Sequence, residues 1–178
     1  MLESSLYSLS YVVSSYLNGG YDYTRMGNSH QLIAPYSVYK TADDKWVVIG
    51  VATNSQFDHF CEVIGIPNSE GKFDTNALRL ENRKELDDLI NLTLKTDGFT
   101  LNKLVQTLTQ NSIPFSEINS ISSLFDNPTI QNMEGQLLTS VQSKNYGREL
   151  RFVKNPIRYE KMRNIEPGDS PVLGEHTE

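Results

Sequence analysis

A chain of 178 residues with 38% hydrophobic content is long enough to bury a core and suits one domain or one and a half. Its formal net charge of −6 argues against a general nucleic-acid binder, which needs a basic face to neutralise phosphates. No apolar run approaches the roughly 18 residues of a membrane span, and Met1–Tyr16 lacks the basic start and cleavage site of a signal peptide, so the expectation is a cytoplasmic protein without membrane attachment.

Leu2, Leu6, Leu9, Val13 and Tyr16 recur in steps of four and three, which predicts one long N-terminal helix with an apolar seam. Serines keep its other faces small, and Asn18-Gly19-Gly20 ends it. The seam calls for a packing partner elsewhere in the fold or on another subunit. Ser37–Thr41 and Trp46–Val51 are rich in β-branched and aromatic residues and flank Ala42-Asp43-Asp44-Lys45, a hairpin pattern. Ser55 is the expected cap of the next helix, whose apolar positions are Phe57, Phe60, Cys61 and Ile64, with Gly65 and Pro67 as the stop. Cys61 is the single cysteine, so no internal disulfide forms, and its place on the apolar stripe predicts a buried thiol.

Leu86, Leu89, Ile90, Thr93 and Leu94 mark a further helix that Asp97-Gly98 breaks. Thr100 is the expected cap of a third, carrying Leu101, Leu104, Val105 and Leu108, before an extended segment around Ile113-Pro114. Ser120 starts a short helix, Asp126-Asn127-Pro128 turns into another, and Gly135 closes that one. Leu137–Gln142 and Leu150–Val153 flank Asn145-Tyr146-Gly147 as a second hairpin, and the tail from Arg163 reads as irregular. Seven basic residues (Lys144, Arg148, Arg151, Lys154, Arg158, Lys161, Arg163) face only Glu149 and Glu160 in the span 144–163. That span is either a solvated face or a patch for a polyphosphate, a nucleic acid or an acidic partner. His30, His59 and His176 show no ligand spacing, so no metal site is expected, and no phosphate-binding glycine loop is present.

Several short signatures occur in a set order along the chain. They are Arg25-Met26-Gly27-Asn28 with His30, then Ala34-Pro35-Tyr36, Lys40-Thr41-Ala42-Asp43 and Gln56-Phe57. Phe73-Asp74-Thr75-Asn76, Arg79 and Asn82-Arg83 follow, then Ile113-Pro114, Phe125-Asp126-Asn127-Pro128, Asn155-Pro156-Ile157-Arg158-Tyr159 and Pro171–Thr177. In this order they resemble the class III (CaiB/BaiF-like) CoA-transferases, and the wording is most similar to the branch of succinyl-CoA:dicarboxylate CoA-transferases.

The resemblance implies an α+β fold, with antiparallel hairpins and several packed helices forming the family's small domain over 33–142. The helix and linker 1–32, and an irregular return segment 143–178, would belong to the large domain. It implies an interlocked homodimer, or association with a missing N-terminal portion. Acyl-CoA and a carboxylate are the small-molecule partners, with coenzyme A a substrate, no separate cofactor, no nucleic acid and no membrane. The family's nucleophilic aspartate belongs upstream of Met1, and Asp22, Asp43 and Asp44 do not match its motif, so no catalytic residue is assigned. The chain is expected to be the C-terminal fragment of a CoA-transferase, inactive alone. The alternatives are a non-catalytic dimerising domain and a fragment like the 2-methylacyl-CoA racemases.

Candidate substrate-binding residues are Asn28, His30, Gln31, Asn54 and Gln56. Asn28–Leu32 matches the position of a mobile glycine-rich loop in the formyl-CoA branch, but Ser29-His30-Gln31-Leu32 replaces the glycines. His30 and Gln31 either offer hydrogen bonds to a substrate carboxylate or oxyanion, or His30 ties the turn to the next strand. Asn54 stands where the racemases carry a glutamate, and an amide cannot be a proton-transfer base. Asn54 and Gln56 either orient an acyl group or belong to a polar helix-capping turn. Asp44 replaces a glycine of the family's hairpin turn, which costs stability if that position needs positive φ.

Overall fold

The computed structural model describes residues 1–67, 71–96, 98–157 and 167–177. The chain divides into two units, Met1–Ile118 and Asn119–Glu178.

In the first unit, β1 (Tyr36–Lys40), β2 (Trp46–Gly50) and β3 (Phe115–Glu117) form an antiparallel sheet in the order β1-β2-β3. Register follows the alternation of side chains. Tyr39 lies opposite Val47 and Ser37 opposite Ile49, and all four are buried. The expected first hairpin is therefore present. Its turn places Asp44 at φ 61, the left-handed region that favours glycine, while the Asp44 carboxylate pairs with Lys40 at 2.5 Å. The extended segment expected around Ile113-Pro114 continues into β3, whose pairing with β2 the sequence does not announce. Pro114 precedes it, where a missing N–H costs no ladder bond, and Phe115 lies opposite Ile49.

Four helices accompany the sheet: α3 (Asn54–Ile64), α4 (Asn76–Glu81), α5 (Arg83–Leu94) and α6 (Leu101–Gln110). Phe57, Phe60, Cys61 and Ile64 form the buried stripe of α3, and Leu86, Ile90 and Leu94 that of α5. With Leu104 and Leu108 of α6 they join Tyr39, Val47 and Ile49 in one core. Burial pushes the Cys61 thiol up to about 11, so it is a small core hydrophobe rather than a nucleophile.

Capping differs from expectation at two helices. Thr53, not Ser55, caps α3: its hydroxyl accepts from the Gln56 amide while Gln56 Oε1 accepts from the Ala52 and Thr53 amides at 3.2 and 3.3 Å. Thr100 holds the cap position of α6 but its side chain makes no capping bond. The Leu101 amide instead donates to Asp43 Oδ1 at 2.8 Å, and the Thr41 hydroxyl donates to the same oxygen at 2.7 Å. These bonds, the Thr41 hydroxyl first, hold the Asp43 carboxyl below its ordinary range. A second polar link joins sheet to helix, where the Tyr39 hydroxyl donates to Asp87 at 2.6 Å. Burial, reinforced by that carboxylate, drives the phenol far above its usual titration range.

The N-terminal helix is divided. α1 (Leu2–Ser8) and α2 (Ser10–Gly19) meet at Leu9, whose φ of −97 and ψ of 17 leave the helical region. The Ser5 and Ser8 hydroxyls donate back to the carbonyls of Met1 and Ser5, which competes with regular helix hydrogen bonding just ahead of the break. Neither helix has a buried residue, and the seam positions Leu2, Leu6, Leu9 and Tyr16 are exposed.

The second unit contains α7 (Ile121–Asp126), α8 (Pro128–Asn132), α9 (Glu134–Leu137) and the hairpin of β4 (Leu138–Ser143) with β5 (Arg148–Val153). Ser120 starts α7 and the Asp126-Asn127-Pro128 turn leads into α8 as expected, and the Ser120 and Asn127 side chains cap the two helices by accepting from the Ser123 and Thr129 amides. Gly135 does not close α8, which ends at Asn132; it lies inside α9, and its carbonyl accepts from Lys154 Nζ at 2.8 Å. A cavity of about 690 Å³ opens beside Phe125, Ile130, Leu138 and Phe152, flanked by the ion pair of Arg151 with Glu134. Of the basic span, Arg151 and Lys154 thus have partners here, whereas Arg158, Glu160, Lys161 and Arg163 lie outside the described residues, as do Tyr159 of the family signatures and Asp97 of the helix stop. Among the described residues no helix is long and apolar enough to cross a membrane.

Asp43→Ala is expected to lower the melting temperature by a few degrees at neutral pH, read by circular dichroism. Because the folded carboxyl titrates low, its stabilisation is present above the ordinary carboxylate value of about 4 and fades as pH falls through the depressed folded value. The difference between parent and variant should shrink over that acid window. Cys61 should react with an aromatic disulfide reagent far more slowly in the native chain than after urea unfolding, at the same mildly alkaline pH.

Candidate functional site

The signature Asn76, Arg79 and Arg83 steps by three and four residues along α4 and α5, which are separated only by Asn82, and this spacing puts the three side chains on one face. That face meets the segment His30–Ala34. Asn76 Nδ2 donates to the Leu32 carbonyl at 2.8 Å, and its Oδ1 accepts from the Ala34 amide at 3.1 Å. Arg79 Nε donates to the Ala34 carbonyl at 2.6 Å. Arg83 Nη2 donates to the His30 carbonyl at 2.6 Å and reaches those of Ile33 and Gln31 at 3.3 and 3.4 Å. Every carbonyl from His30 to Ala34 therefore accepts from one of three side chains. The next bond, Ala34-Pro35, is a cis peptide.

Arg79 is fully buried. Besides Ala34 it donates to the Phe73 carbonyl at 2.9 Å and to Asn54 Oδ1 at 3.1 Å, and its guanidinium lies 4.5 Å from the centre of the Phe57 ring. Burial lowers its proton affinity, and the negative charge of Asp58 partly offsets this. Three oxygens and an aromatic face replace the water that a buried cation loses.

The expected site residues fall into two groups that Arg79 connects. In the first, the His30 amide donates to the Tyr36 carbonyl at 2.8 Å, and its ring stacks on Tyr36 with centroids 5.2 Å apart. His30 Nδ1 accepts from the Leu32 amide at 3.1 Å. The histidine thus ties the turn to β1, while its second ring nitrogen is not used in that tie. Gln31 donates from its side chain to the Thr24 carbonyl, and Asn28 is exposed in the turn after Gly27. In the second group, Asn54 holds Arg79 and Gln56 closes the capping box of α3. Asn76, Arg79 and Arg83 were visible as a signature, but the sequence alone gave them no role. Their one-face spacing was the signal that could have found it. Among the described residues no group of three or more His, Cys, Asp or Glu is placed to hold a metal ion.

Arg79→Met removes donors from the Ala34 and Phe73 carbonyls and from Asn54 at once. It is expected to cost about 3–5 kcal/mol in urea unfolding, with Arg79→Lys losing less because it keeps the charge and part of the bonding.

The chain matches the family model described as CoA-transferase family III over residues 1–177. It is similar to a succinyl-CoA:glutarate CoA-transferase from Homo sapiens, with 29% identity over 99% of this chain and 40% of that enzyme. A succinyl-CoA:mesaconate CoA-transferase from Haloarcula hispanica is 26% identical over 99% of this chain and 43% of its own length. The crystal structure of a CaiB/BaiF family protein from Brucella suis superposes with a TM-score of 0.71 at 26% identity, covering 94% of this chain and 42% of that one. The chain therefore spans about two fifths of the length of these relatives. With the family match running through both units, the chain belongs to CoA-transferase family III.

Proposed function

We propose that this chain serves in the cytoplasm as part of a CoA-transferase that moves CoA from an acyl-CoA such as succinyl-CoA to a carboxylic acid. In this reading its first unit forms a wall of the acyl site, and the nucleophilic aspartate lies outside these 178 residues. That aspartate attacks the thioester carbonyl, expels CoA thiolate and forms a mixed anhydride. The thiolate then attacks the aspartyl carbonyl to give an aspartyl-CoA thioester and release the first acid. The acceptor carboxylate repeats the sequence in reverse, leaving as the new thioester.

The observation that carries this reading is that the human and archaeal relatives are both succinyl-CoA-dependent transferases and each matches 99% of this chain. Four aspartates of the first unit are taken up in structural contacts, which agrees with an external nucleophile. Asp43 caps α6, Asp44 pairs with Lys40, Asp87 accepts from Tyr39 and Asp88 pairs with Lys84. Asn54 supports transfer over racemisation, since its amide oxygen holds Arg79 and cannot remove a proton beside a thioester. A second reading, a homodimerising segment, is favoured by the exposed seam of α1 and α2, which a second copy of the chain would cover.

Incubated with succinyl-CoA and glutarate, the chain alone should form no glutaryl-CoA by liquid chromatography. Product should appear when a polypeptide supplying the family's N-terminal portion is added. Turnover by the chain alone would sink the external nucleophile, and silence in the reconstituted mixture would sink the transferase reading.

A further inference from the structure

The segment His30–Ala34 has a one-sided hydrogen-bonding inventory. Its five carbonyls all accept from Asn76, Arg79 or Arg83. Of its amides, that of His30 donates to Tyr36, that of Leu32 to the His30 ring and that of Ala34 to Asn76. Those of Gln31 and Ile33 have no hydrogen-bond partner among the described residues. A neutral imidazole that accepts at Nδ1 carries its proton on Nε2, which adds a third donor. His30, Gln31 and Ile33 are half-buried, where an unmade bond is more costly than on an open surface. Two guanidinium groups behind the carbonyls add positive charge to the same segment. What the loop has left to offer a ligand is donors, and the matching ligand chemistry is an anionic oxygen.

We propose that Asn76, Arg79 and Arg83 are positioning residues that turn His30–Ala34 into a carboxylate-recognising loop, with the Gln31 and Ile33 amides and His30 Nε2–H donating to the far carboxylate of a dicarboxylic substrate. The proposal rests on the transferase reading for its substrate class. A succinyl group and a dicarboxylic acceptor each carry a second carboxylate that the CoA exchange leaves untouched, and that group needs a reader at a distance from the thioester. Direct contact with substrate is assigned to the loop, whereas Arg83 acts through the carbonyls it holds.

The test is a titration of the ¹⁵N-labelled chain with glutarate and, in parallel, with glutaramide, the uncharged diamide of the same length. Glutarate should shift the Gln31 and Ile33 amide resonances saturably, and glutaramide should not. Arg83→Gln should bind glutarate at least about tenfold more weakly, and Arg83→Lys should recover part of the loss, while the core methyl resonances of Leu86 and Ile90 keep their native positions in both. A purely structural Arg83 would move those methyls or leave glutarate affinity at the parent value, and either result overturns the positioning role. Unmoved Gln31 and Ile33 amides, or equal movement with the diamide, overturns the loop itself, and this arm stands even if Arg83→Gln does not fold. Carboxylate binding requires no CoA, so glutarate recognition without CoA transfer in the reconstituted assay would overturn the transferase reading and keep this one. Transfer without recognition would do the reverse.

Discussion

The guanidinium of Arg79 is the point at which three segments of the first unit are joined: the loop before β1 through Ala34, the approach to α4 through Phe73, and the first turn of α3 through Asn54. A fully buried cation loses several kcal/mol of hydration, and only a complete set of oxygen partners makes the location tolerable. Because each of those partners is itself fixed by an element, the arginine constrains where the elements go. Cap, loop and helix cannot be repacked independently around it. The apolar core supplies the gross driving force, but a core of Phe57, Leu86 and Ile90 alone would accept many loop conformations above it.

Long-range polar bonds recur at the border of that core. Asp43 reaches from the hairpin turn to the amide of Leu101, and Tyr39 reaches from β1 to Asp87 on α5. Each ties a short-range element to one distant in sequence, so the sheet and its helices share their fixed points. The site inherits this arrangement. His30 is anchored to β1 by its backbone and by ring stacking, and the loop that carries it is anchored to α4 and α5 by its carbonyls. A glycine-rich loop at this place would lack the ring and the side-chain amide that do part of the anchoring.

What was legible in the sequence was local. The hairpin of β1 and β2, the stripes of α3, α5 and α6, the buried Cys61, the second hairpin and the starts of α7 and α8 all follow from periodicity and turn chemistry within a few residues. The misses share a different cause. Ser55 was the expected cap, but Gln56 closes the capping box on Thr53 two residues earlier, and Thr100 was bypassed because a carboxylate from the hairpin turn reached its helix first. β3 is three residues long and exists because β2 offers it an edge. The single N-terminal helix broke where serine side chains bond to its own backbone. For the candidate site, the loop and the turn of α3 were readable as polar segments, and the spacing of Asn76, Arg79 and Arg83 marks them as one face, but the loop they hold lies more than forty residues away and that spacing does not name it.

The two units differ in how they would register mutation. Phe57 lies at 0% exposure among close-packed neighbours, whereas Phe125 and Phe152 stand at 41% and 39% beside a cavity. Truncating the first ring leaves a void that nothing fills, and truncating either of the others leaves space that solvent occupies. Sequence drift is therefore punished steeply in the core of the first unit and leniently beside the cavity of the second.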